Sequence, residues 1–242
     1  MVVTWLLIGI GVTAAVVLLF QDWRPTLLAL LLNYLIQTSF LADQSFVPPD
    51  LNLLGLPVST LVLIKLISGV AVTLILSITA LTFSQEYGFE NLDEFGLAEL
   101  RRATRAMQRQ RANRPFQLSD YVLPLGSGVL ALLASLILPR IYPIAPSETI
   151  DFVWYWLVLT GLLTIATASN LLKVGLGLLL CSSAIDLLYT AVVSAPGASG
   201  LKLMPIGLLS LFNMLLALAL AYLSGLCYGR LKTLDLSELY RN

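Results

Sequence analysis

Seven apolar runs, at about residues 2–20, 25–42, 57–83, 121–142, 151–168, 168–193 and 204–228, leave this chain few ways to fold. A helix needs about 20 residues to cross ~30 Å of hydrocarbon, and the runs are of that order. In hydrocarbon every backbone N–H and C=O must be satisfied inside the protein, which admits only helices and closed barrels. Barrel strands would alternate polar and apolar residues, and these runs are apolar throughout. The expected fold is therefore an all-α polytopic membrane protein with seven transmembrane helices. Composition agrees, since 58% of the 242 residues are hydrophobic and 12% are charged, too few charges to cover a soluble domain.

The first run has no basic segment before it and no small-residue cleavage site, so it reads as a retained span and not as a signal peptide. Pro25 opens the second span at a position where proline is tolerated. Within that span Asn33 and Gln37 are four residues apart on one helical face, and buried amides so placed are expected to hydrogen-bond across helices. Residues 43–56 form a loop broken by Pro48-Pro49. The third span carries Lys65 about eight residues from its start, ~12 Å along the helix. Gly126 and Gly128 in the fourth span are expected to let a neighbour approach, Pro143 and Pro146 end it, and Trp154 and Trp156 place the fifth span at an interface. The sixth span opens at Asn170 and Lys173 and contains one acid, Asp186, while the seventh holds Asn213 near its middle.

Residues 84–120 are the longest polar segment and contain six arginines, at 101, 102, 105, 109, 111 and 114. Leu92, Phe95, Leu100, Ala103 and Met107 recur at near-helical spacing against them, which predicts an amphipathic helix on the cytoplasmic surface. Beside membrane spans such a cluster follows from the positive-inside rule and needs no nucleic-acid partner. With this segment inside, Arg24, Lys173, Arg230, Lys232 and Arg241 also fall inside, and Arg140 and Lys202 fall outside. The N-terminus is then out and the C-terminus in.

Lys65 and Asp186 lie about eight and seven residues from the outer ends of their spans, and Asn213 about ten. At helical rise these depths agree within ~5 Å. Hydrocarbon penalises each group alone, so a Lys65–Asp186 pair or a shared polar pocket is expected, and an intramembrane ionisable residue marks a functional site by default. The candidate ion or proton path is therefore Asp186, Lys65 and Asn213, with Asn33, Gln37, Asn170 and Lys173 as secondary polar candidates. No catalytic constellation, cofactor motif or metal site is expected. The chain has no histidine, no Gly-rich phosphate loop and no CxxC, and its two cysteines, Cys181 and Cys227, sit in different apolar runs.

From about Trp154 onward the chain resembles the small K-type subunit of respiratory complex I and the C subunit of Mrp-type cation/proton antiporters. The resemblance lies in Asn170-Leu171-Leu172-Lys173 at a helix start, then Val174-Gly175-Leu176-Gly177-Leu178. A short glycine-rich loop follows, then a last helix with Leu216-Ala217-Leu218-Ala219-Leu220 and the tail 231–239. It covers about the last 90 residues and implies a three-helix module, 151–242, following a three-helix segment (1–83), the basic loop (84–120) and a fourth span with its outer loop (121–150). The resemblance implies a glutamate midway along each of the last two helices for proton transfer. Here those positions are Leu179 and Asn213, and Asp186, two turns beyond Leu179 on the same face, is the candidate substitute.

The function expected is that of a membrane-arm subunit of a complex I-like or Mrp-like assembly, not catalytic on its own, that contributes to or seals a proton or cation path. Its partners would be larger antiporter-type subunits, other small membrane subunits and lipid, in a prokaryotic plasma or other energy-transducing membrane. Small residues such as Gly9, Gly11, Gly175, Gly177, Gly225 and Gly229 would serve lateral packing. The alternatives are a self-contained transporter and a purely structural scaffold subunit.

Overall fold

Where the apolar runs lie, the chain is helical. The computed structural model describes residues 2–20, 22–43, 51–53, 56–86, 118–194 and 203–231. Among these, α1 spans Val2–Leu19, α2 Trp23–Ala42, α3 Thr60–Glu86, α4 Leu118–Ile141, α5 Glu148–Ala166, α6 Leu171–Ser194 and α7 Leu203–Leu231. The helices α2 to α7 are long and apolar enough to cross a membrane, and α1 is a shorter apolar helix. The chain is an integral membrane protein. Its exterior fits that solvent: Leu123, Leu130 and Leu136 on α4 and Leu208, Phe212 and Leu215 on α7 are exposed, while Asn33, Gln37, Lys65, Asp186 and Asn213 are buried.

The segment before α3 departs from the sequence reading. Leu51–Leu53 (β1) pairs antiparallel with Leu56–Val58 (β2), with Asn52 opposite Pro57. Part of the expected loop is thus a short hairpin, and α3 starts at Thr60 and not at Pro57 because Pro57 is held in that ladder. Most of the arginine-rich segment, residues 87–117, lies outside the described residues, and with it the expected amphipathic helix.

Between α4 and α5 the turn is built around Asp151. Its buried carboxylate accepts hydrogen bonds from the backbone N–H of Ile144 (3.1 and 3.2 Å) and Ala145 (2.8 Å). Ser147 caps α5 by accepting from Ile150 N–H at 3.4 Å. The Tyr155 hydroxyl donates to the Tyr142 carbonyl at 3.0 Å, and an exposed Arg140–Glu148 pair lies at 3.5 Å. Trp156 is not the interface anchor expected from sequence. It is buried in the apolar core.

One apolar core runs through the bundle and draws on every helix: Ile10, Leu30, Leu76, Ala131, Leu157, Leu180 and Leu220 all belong to it. Its hub is α6, which packs against α1, α2, α5 and α7, while α3 lies along both α2 and α7. The tightest approach is between α5 and α6. A Cβ on Gly161 would stand 2.8 Å from the Gly177 carbonyl oxygen, and one on Gly177 would stand 2.7 Å from that of Gly161. Small residues allow such approaches where lipid gives helices no hydrophobic drive to associate. The other expected glycine contacts divide. Gly9 faces Ile36 and Gly175 faces Leu220, but Gly11, Gly126 and Gly225 have nothing within 4 Å, and Gly128 meets only Leu18.

Candidate functional site

An ion pair is buried within the bundle, five residues into α3 and eight from the end of α6. Lys65 Nζ donates to Asp186 Oδ2 at 2.5 Å and to the Asp186 carbonyl at 3.3 Å. Both residues are buried, at 7% and 6% exposure, so the pair sits in a low dielectric where removing one partner strands the other. Helical spacing assembles the surroundings. On α3, Ser68 follows Lys65 by three and donates to the Ser210 carbonyl of α7 at 3.0 Å. On α6, Thr190 follows Asp186 by four, and its hydroxyl donates to the Asp186 carbonyl at 2.7 Å. That oxygen is therefore shared by Lys65 and Thr190.

The sequence candidates on other helices converge on the same region. Ser182 of α6 donates to the side-chain oxygen of Asn213 on α7. Asn33 of α2 donates to Thr13 Oγ1 at 2.7 Å and to the Ile10 carbonyl at 3.3 Å, both on α1. Gln37 donates to the Asn33 side-chain oxygen and, at 3.4 Å, to Ser183 Oγ on α6. A polar seam thus crosses the bundle from α1 through α2 and α6 to α3 and α7. Lys65, Asp186, Asn213 and Gln37 line one cavity of about 10 Å³ together with Tyr34, Thr38, Ser68 and Ser183, a volume near the ~10–15 Å³ that one water requires.

Two residues of this site had no claim on attention from sequence. Tyr34 lies one turn from Gln37 and Thr38 but reads in sequence as an ordinary amphipathic aromatic. Gly69 is its counterpart on α3, where a Cβ would stand 2.7 Å from the Tyr34 Cβ. The bare glycine lets the ring lie against α3 one residue from Ser68. An unremarkable glycine beside a serine and one turn from Lys65 was the only available signal.

The remaining candidates lie elsewhere. Asn170 caps α6, its side-chain oxygen accepting from Lys173 N–H at 2.8 Å. Lys173 is not a solvated cytoplasmic charge as its place in the topology count implied. It is 3% exposed, and its Nζ donates to the Leu18 carbonyl at 3.1 Å. The last carbonyls of α1 carry the negative end of its dipole, which a lysine satisfies. Leu179 is fully buried in the apolar core and touches none of the seam's hydrogen bonds.

Chemically the arrangement can hold a proton between an acid and a base and present it to neighbouring hydroxyls and amides. Among the described residues no group of three or more His, Cys, Asp or Glu comes together, and Cys181 and Cys227 form no disulfide. Against known protein families, curated proteins and solved structures, the chain finds no match.

Proposed function

We propose that this chain is a small membrane-arm subunit of a complex I-like or Mrp-like assembly in which the buried Lys65–Asp186 pair is a proton-holding station. The observation that carries the reading is the pair itself, buried at the centre of a polar seam contributed by five helices. Such a pair costs several kcal/mol to desolvate and stabilises a fold no better than apolar residues of the same volume, which favours a role beyond packing. Seven spans with the N-terminus outside and the C-terminus inside go with this reading. The membrane is the plasma membrane of a prokaryote or another energy-transducing membrane.

In this reading the proton function lies on α6 and α7, with Asp186 taking over from the leucine at 179. The small volume of the cavity, about 10 Å³, favours a station over a pore. A path through it would be completed by the larger antiporter-type subunits packed alongside. The same smallness also favours the second reading, a scaffold subunit that seals a path built by its partners. Purification from native membranes in mild detergent tests the subunit reading. Recovery in a larger complex is expected, and recovery as a lone chain that moves ions in liposomes would reject it. In the reconstituted complex, Asp186→Asn should abolish proton-coupled transport, and undiminished coupling would leave only the sealing role.

A further inference from the structure

Two polar atoms in the seam have no hydrogen-bond partner among the described residues: Asp186 Oδ1 and the Tyr34 hydroxyl. The two residues are 6% and 8% exposed and line the same cavity of about 10 Å³. Asp186 Oδ2 is taken by Lys65, so Oδ1 is the free half of a buried carboxylate. Tyr34 belongs to α2 and Asp186 to α6, and no described hydrogen bond joins them directly.

We propose that this cavity is a binding site for one water molecule, which donates to Asp186 Oδ1 and accepts from the Tyr34 hydroxyl. Volume, chemistry and charge each favour that occupant. The space suits one water and nothing larger. Leaving a carboxylate oxygen and a phenol unpaired in the interior costs more than fixing one water. A monovalent cation is disfavoured, because among the described residues the formal charges lining the cavity are Lys65 and Asp186, which already neutralise each other. A further positive charge would meet the ammonium in a low dielectric. The second hydrogen of the water has side-chain oxygens of Gln37, Ser183 and Asn213 in the same wall.

The site gives Asp186 a hydrogen-bonded neighbour on the side away from Lys65. Tyr34 becomes a positioning residue that aims the water, and Gly69 becomes the residue that lets Tyr34 reach it. The water also joins the ion pair to α2, whose Gln37 and Asn33 lead on to Thr13 of α1. Any part of this water in proton movement rests on the function proposed above, but its binding does not.

The test is a structure of the full chain, within its native complex, at a resolution that shows ordered water. One density within hydrogen-bonding distance of both Asp186 and Tyr34 is expected, and it should be lost in Tyr34→Phe. Leu41→Phe, which adds side-chain volume at the same cavity, should expel it as well and serves if Tyr34→Phe does not fold. An empty cavity, or a cation with Lys65 withdrawn, overturns the proposal. In reconstituted complex, Tyr34→Phe should slow proton movement about a hundredfold, the low end for a lost proton-transfer partner, and should alter its H₂O/D₂O ratio. Water present with Asp186→Asn silent would uphold the site and reject the proton reading. A dry cavity with Asp186→Asn inactive would reject the site alone.

Discussion

Lys65 and Asp186 reach each other from helices far apart in sequence, and each would be an isolated charge without the other. Lys65→Met or Asp186→Leu alone should lower stability by about 3–5 kcal/mol, because the survivor is left buried and unpaired. The double variant should recover most of that loss, as apolar replacements of a whole buried pair usually do. Thermal unfolding in nanodiscs gives the cycle, and additive single effects would show that the two residues do not interact. The pair was legible from sequence because hydrocarbon allows few charges and helical rise sets their depth. Tyr34 and Asp151 were not. A tyrosine in an apolar run has many ordinary roles, and Asp151 earns its buried place only from the backbone N–H groups of Ile144 and Ala145, which a turn has to bring to it. Asp151→Ala should therefore cost about 1–3 kcal/mol by leaving those donors without an acceptor, read as a lower unfolding temperature.

At the level of elements, the helices followed the apolar runs closely, and the differences came from chemistry at their ends. Pro57 sits in a hairpin and not at the head of α3, and Lys173 turns inward to the last carbonyls of a helix that ends at Leu19. Neither could be read locally, since each depends on a partner elsewhere in the chain. Glycine behaves the same way: Gly9, Gly11, Gly161 and Gly177 look alike in sequence, but only some face a neighbour. Gly177→Ala should force α5 and α6 apart and cost about 1–3 kcal/mol by overpacking. Gly11→Ala, with open space around it, should be neutral or up to about 1 kcal/mol stabilising through lower backbone entropy. Unfolding of both variants in one detergent provides the comparison, and equal effects would contradict the close α5–α6 approach.

For the whole molecule, the polar centre belongs to no contiguous stretch of chain. The last three helices supply Asp186 and Asn213, while the earlier ones supply Lys65, Tyr34 and Gln37. The topology proposed above would put the α4–α5 turn outside and Arg24 inside. In a chain with Cys181 and Cys227 replaced by serine, Glu148→Cys should accordingly react with an impermeant thiol reagent from outside, and Arg24→Cys should be protected until the membrane is opened. The reverse pattern would invert the topology.

The 121 residues that separate Lys65 from Asp186 also bear on how the protein is made. At about 5–20 residues per second, α3 carries its lysine for roughly 6–24 s before the aspartate is even synthesised. Lys173 imposes a similar wait on α1, whose Leu18 carbonyl lies 155 residues upstream. During that interval the early helices hold polar groups that a bilayer rejects, so they need the insertion machinery or a membrane chaperone to shelter them. A chain truncated before α6 would leave both debts unsettled and present itself to membrane quality control as incomplete.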